Sequence, residues 1–124
     1  MREQPRGDAL LACARQVLKD TVLPALSGDA RHAVLMTMNA MSIAERQLRL
    51  GDGPEVAELA ELRALLDDGQ AGLADGARTL AGLIRAGKAD PGREFRAPVL
   101  AHLRAAGLRR LAESNPKALP KTAP

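Results

Sequence analysis

Five polar side chains recur on one face of a long apolar stretch. They are His32, Asn39, Ser42, Arg46 and Arg49, at successive intervals of 7, 3, 4 and 3 residues. Steps of three, four and seven return to the same side of a helix. Arg46 offers a planar fork of N–H donors suited to carboxylate or phosphate. Asn39 and Ser42 add neutral hydrogen-bonding groups beside it. The stripe therefore has the chemistry of a groove for a small anionic or carbonyl-bearing ligand. A second reading is structural. An asparagine buried among apolar neighbours must be bonded or cost about 1–3 kcal/mol, so Asn39 would fix helix register. Glu45 and Arg49 also match an ordinary exposed i,i+4 ion pair.

Other constellations carry less. Residues 82–89, Gly-Leu-Ile-Arg-Ala-Gly-Lys-Ala, approach a phosphate-cradling loop, but Ala89 stands where that loop needs a hydroxyl. Such a loop also follows a strand and opens a helix, whereas here a helical stretch comes first. His32 and His102 are 70 residues apart, and neither Asp29 nor Glu94 completes the three or four ligands a zinc site requires. Asp67-Asp68-Gly69 lacks the alternating oxygens of a calcium loop and reads as a helix end. The single cysteine, Cys13, sits beside an apolar row and reads as a buried structural thiol. No catalytic residue, metal site or cofactor is expected, and the chain does not read as an enzyme.

The elements that must position the stripe follow from composition and punctuation. Of 124 residues, 24 are alanine and 20 leucine, while Phe95 is the sole aromatic. That usage favours helix and disfavours strand. The expected fold is all-α, a single antiparallel bundle of four to five helices with disordered termini. Asp8 would cap a helix over 8–23, closed by Pro24. A second, from Ser27 or Asp29 to Leu50, would stop at Gly51. It would occupy the centre of the bundle, with Met36, Met38 and Met41 as adaptable core filling. A third would span 54–67, with Glu55, Glu58 and Glu61 on its outside. A fourth would span 73–87, weakened by Gly76 and Gly82, and a fifth 94–113. Residues 1–113 would form the bundle domain and 114–124 a flexible Pro/Lys tail.

Charge is unevenly spread. Residues 1–77 hold 8 Lys/Arg against 12 Asp/Glu, a net −4, and residues 78–124 hold 10 against 3, a net +7. The basic half either meets the acidic half or faces an anionic partner. Arg104, Arg109 and Arg110 give the last helix a basic character. With no helix-turn-helix pair and no aromatics for base stacking, nucleic acid is an unlikely partner. No apolar run is long enough for a membrane span. Met1–Pro5 lacks the apolar region of a signal peptide, which predicts a cytoplasmic location.

The stretch Asn39-Ala-Met-Ser-Ile-Ala-Glu-Arg-Gln-Leu48, followed by Leu50-Gly51, resembles the core of a bacterial family of small helical domains of unknown function. Pro5, Leu10-Leu11, Val17-Leu18 and Leu23-Pro24-Ala25-Leu26 fit the same pattern, and the resemblance is best over residues 4–66. Two positions depart from it: Gln47 replaces a glutamate, and His32 stands where an aromatic is usual. The resemblance implies an accessory or interaction domain. It would occur beside or fused to an aminoglycoside-phosphotransferase-like kinase and near acyl-CoA dehydrogenases, one of which would be its partner, with a homo-oligomer as the alternative. It brings no catalytic residues with it. A small anionic ligand such as an acyl-CoA or phosphometabolite is the second functional expectation, and weak nucleic-acid binding through the basic half the third.

Overall fold

The computed structural model describes residues 3–121. These residues form five α-helices and contain no strand: α1 (Gly7–Val17), α2 (Gly28–Leu50), α3 (Gly53–Leu66), α4 (Leu73–Arg85) and α5 (Arg96–Ser114). The fold is all-α. Its contacts divide it into two compact units. The first contains residues 3–51 and Ala112–Ala118, and the second contains residues 52–111 and 119–121.

In the first unit α1 packs along α2. The helical path does not stop ahead of Pro24 as expected. Pro24 has no N–H for the carbonyl four residues back. The chain instead widens into a π-helical turn over Leu18–Val22, with the Leu23 N–H bonded to the Leu18 carbonyl, and then tightens into a 3-10 turn over Leu23–Ala25. Leu23 is buried there, and Arg31 of α2 donates to its carbonyl at 3.0 Å. The next helix starts at Gly28 after Ser27 and ends at Gly51, whose φ of +63° suits a residue without a Cβ.

The second helix is not the buried centre that its apolarity suggests. Its one buried residue is Glu45, while Leu35, Met36, Leu48 and Leu50 are exposed and Met38 and Met41 only half-buried. Helix α1 packs on one side of α2, and alanine and methionine keep its other faces apolar although they are exposed. Asn39 is exposed and so does not serve as a buried register pin. Cys13 is also exposed, on the solvent side of α1, rather than a core thiol.

The core proper lies in the second unit. Leu62 of α3, Leu80 of α4 and Val99 of α5 form its buried centre, flanked by Leu65, Leu66, Leu73, Ala89 and Phe95. Helix α3 ends on Asp67 in the left-handed conformation, and Arg63 donates from Nε to the Ala71 carbonyl at 2.8 Å across the turn that follows. The two glycines of α4 differ in kind. Gly76 is buried, and a Cβ added there would stand 2.8 Å from Leu62 Cδ2, whereas one at Gly82 would meet nothing within 4 Å. The first lets α4 approach α3, and the second is a plain helix-interior cost of about 1 kcal/mol against alanine. Gly82→Ala is therefore expected to raise stability by up to about 1 kcal/mol. Gly76→Ala should lower it by about 1–3 kcal/mol through overpacking. Urea denaturation followed by helical circular dichroism reads both; the same sign at the two sites would contradict the assignment.

After α5, Pro116–Ala118 form a 3-10 turn, so the part of the expected tail up to Ala118 has regular local structure. Residues 122–124 lie outside the described part of the chain.

Candidate functional site

Two cavities gather polar chemistry, one in each unit. The first is the stripe read from the sequence. Asn39, Ser42 and Arg46 line a cleft of about 500 Å³ together with Ser114, Asn115, Pro116 and Lys117. The register of α2 puts the first three on one side, since they are three and four residues apart. The 3-10 turn after α5 supplies the opposite wall. Arg46 is half-buried, and its Nη1 donates to the Glu113 carbonyl near the end of α5. A cation there satisfies an unpaired helix-terminal carbonyl and favours the negative end of the helix dipole. Gln47 Nε2 donates to the Glu113 carboxylate at 3.5 Å.

The cleft lining contains two cationic side chains, four uncharged hydrogen-bonding ones and Pro116, and no carboxylate side chain. The remaining stripe residues are elsewhere. His32 is exposed seven residues before Asn39, about 10 Å along the axis. Arg49 is exposed beyond Arg46 and does not line the cleft. Glu45 is not the exposed partner of Arg49. It is 4 % exposed and takes two hydrogen bonds from Arg15 of α1, from Nε at 2.7 Å and from Nη2 at 3.3 Å. The Arg15 bonds, reinforced by the charges of Arg15, Arg49 and Arg46, hold the Glu45 carboxyl below its ordinary range against the opposing effect of burial.

The second cavity was not apparent in the sequence. It measures about 590 Å³ and is lined by Glu61, Ala64 and Leu65 of α3, by Phe95, and by Pro98, Ala101, His102 and Ala105 of α5. Glu61 is gripped by Arg109, whose Nη1 donates to Oε2 at 2.9 Å and whose Nη2 donates to Oε1. That grip keeps the Glu61 carboxyl below the usual carboxylate range and raises the Arg109 guanidinium. His102 is 8 % exposed. Its Nδ1 stands 3.7 Å from Glu61 Oε2, beyond hydrogen-bond distance, and is buried without a protein partner. The histidine thus meets Glu61, across 41 positions of sequence, and not Glu94, which lies in the turn before α5 rather than on it.

Beside this pocket Arg110 Nη2 donates to Glu58 Oε1 at 2.9 Å. Glu58 and Glu61, expected on the solvated side of α3, thus pair with the basic end of α5. Within this unit the basic half of the sequence meets the acidic half, and Arg109 and Arg110 are both engaged by carboxylates. A basic surface for nucleic acid loses those two members. The stretch over 82–89 runs from the end of α4 into a turn, with no strand ahead of it. Among the described residues no three of His, Cys, Asp and Glu come together as metal ligands would. No helix among them is long and apolar enough to cross a membrane.

A model of a domain of unknown function, DUF6285, matches residues 24–118. The chain belongs to the DUF6285 family. The match takes in α2 through the 3-10 turn after α5, so every residue of both cavities falls inside it. It extends past the segment over 4–66 on which the sequence resemblance was best, and leaves α1 outside. No curated protein and no solved structure matches this DUF6285 chain. Function must therefore be argued from the two cavities themselves.

Proposed function

We propose that this DUF6285 domain binds a small anionic ligand, a phosphorylated metabolite or the phosphate end of an acyl-CoA, in the cleft between α2 and the turn after α5. One observation supports the reading above others: the stripe of Asn39, Ser42 and Arg46 opens onto a cavity faced by Lys117 and without a carboxylate side chain. A site of this kind selects negative charge, since Arg46 and Lys117 both attract it and Asn39, Ser42 and Asn115 can donate to oxygen. Arg46 is held in place by its bond to Glu113, so its fork is partly ordered before a ligand arrives.

Thermal unfolding with added inorganic phosphate, a sugar phosphate and acetyl-CoA tests this. At least one is expected to raise the midpoint in a saturable, salt-sensitive way. Arg46→Ala should weaken binding by about 10–100-fold, the equivalent of one charge-assisted hydrogen bond. Because Arg46 also serves the end of α5, Lys117→Ala is the companion variant. It removes an exposed cation and should weaken binding severalfold with little change in the unliganded midpoint. Stabilisation by none of the three anions would dismiss the proposal.

A second reading is supported by a different observation. Leu35, Met36, Leu48 and Leu50 are exposed along α2. Apolar side chains left open on one helix suit an accessory domain that docks on a protein. The kinase-like or acyl-CoA dehydrogenase-like enzyme implied by the sequence resemblance, or a second copy of this chain, would be that partner. Co-elution with either enzyme, and its loss in Leu35→Glu, is the corresponding measurement.

A further inference from the structure

We propose that the pocket between α3 and α5 is a second binding site, and that it takes a small, neutral, largely apolar molecule bearing a hydroxyl group recognised jointly by His102 and Glu61. Most of the lining offers only carbon: Ala64, Leu65, Phe95, Pro98, Ala101 and Ala105. The volume of about 590 Å³ falls within the range of about 300–1,000 Å³ common for small-molecule sites, which pair apolar walls with few polar groups.

The polar corner specifies the ligand's functional group. His102 is more than nine-tenths buried, and its Nδ1 has no protein partner. Leaving a buried polar atom unsatisfied is unfavourable, and such atoms are uncommon in folded proteins. Glu61 Oε2 is 3.7 Å from that nitrogen, too far for a direct bond. Nδ1 is closed to solvent as it stands, so an oxygen seated on Oε2 meets it once the imidazole turns slightly toward the pocket. A hydroxyl completes the pair from both sides: it donates its proton to Oε2 and accepts from Nδ1–H. An ether can accept but not donate.

Charge narrows the choice further. Arg109 holds both oxygens of Glu61, so the carboxylate is fixed in position and already neutralised. A carboxylate ligand would meet Glu61, and an ammonium would stand near Arg109. A neutral hydroxyl avoids both penalties. Ala64, Pro98 and Ala101 are exposed and form the mouth, while Leu65 and Phe95 are half-buried deeper in the wall. None of these residues belongs to the anion cleft, so either site can fail without the other.

The test uses the full chain and two probes, 4-ethylphenol and 1-hexanol, each beside its methyl ether. Nitrogen-15 resonances of the imidazole rings are followed during titration. His32, exposed on α2 and outside the pocket, is the internal reference. The expected result is a saturable shift confined to His102, with each methyl ether at least tenfold weaker than its parent. Ala101→Phe changes an exposed residue at the mouth and should abolish the shift while the phosphate response of the other cleft persists. Equal binding of alcohol and ether, a shift shared by His32, a titration that does not saturate, or undiminished binding in Ala101→Phe would each overturn the proposal. A pocket that holds only water at the His102–Glu61 corner would give the non-saturating outcome.

Discussion

Leu62→Ala should destabilise the second unit by about 2–5 kcal/mol, the largest effect expected of any single truncation in this chain. Leu62 is 1 % exposed and packs with Leu80 and Val99 at the centre of a core that has few other fully buried members. Removing the three carbons beyond Cβ forfeits both transfer free energy and the contacts of the cavity walls. A small domain has about 5–15 kcal/mol in total, so the loss is a large fraction. The same substitution should interact with Gly76→Ala. The new methyl group at position 76 clashes with Leu62 Cδ2 at 2.8 Å, and Leu62→Ala takes that atom away. The double variant is then less damaged than the sum of the two singles. A urea double-mutant cycle measures this; strict additivity would show that the two residues do not meet.

Arg15→Met should cost about 2 kcal/mol at pH 7, because it leaves the buried Glu45 carboxylate with no hydrogen-bonded counter-charge. The figure is set below the 3–5 kcal/mol typical of a fully buried pair, since the Arg15 side chain is 33 % exposed. The pH dependence supplies a second signature. In the native protein Arg15 holds the Glu45 carboxyl below its ordinary value, and Arg109 does the same for Glu61. A depressed carboxyl stabilises the fold above its unfolded pKa, about 4.3, and that contribution disappears as pH falls through the lower folded value. Stability should therefore be level near neutrality and decline below about pH 4. In Arg15→Met burial is no longer opposed by the arginine, and the Glu45 carboxyl takes up a proton more readily. The gap between variant and native protein should narrow between pH 7 and pH 4.5. Arg15→Met with Glu45→Gln should recover part of the loss at pH 7. A gap that widens on acidification would exclude this account.

The limits of sequence reading are visible at these same residues. Helix ends were legible wherever the backbone itself dictates them. Ser27 and Gly51 bracket α2 within a residue, and the break after α3 falls at Asp67 as expected. The chemistry of a turn is local, so a local reading suffices. The π-helical turn over Leu18–Val22 was not legible, because one extra residue per turn leaves no compositional mark. Partner choice was harder still. Glu45 looks like the exposed i,i+4 neighbour of Arg49, yet it reaches Arg15, 30 residues away. Glu58 and Glu61 look like a solvated acidic row, yet the arginines of α5 claim them. Both choices depend on how helices pack, which spacing along one helix does not encode.

The candidate cleft shows the same division. The grouping of Asn39, Ser42 and Arg46 follows from helical periodicity, and they do share a cavity. Its other wall, Asn115 and Lys117, comes from a segment whose prolines and lysines suggested disorder. His32 and Arg49 satisfy the same periodicity but lie beyond the reach of that wall. In the second pocket no periodic signal existed. His102 is an isolated histidine in a helix of alanines and leucines, and only the approach of α3 gives it Glu61 for a neighbour.

The outward-facing thiol of Cys13 has a practical meaning for the experiments above. The chain contains neither tryptophan nor tyrosine and so lacks the usual intrinsic fluorescence. One accessible thiol per molecule, on α1 and remote in sequence from the residues of either cavity, gives a maleimide dye a single defined attachment point. The labelled protein then reports tumbling and self-association through anisotropy, and its concentration can be fixed by dye absorbance.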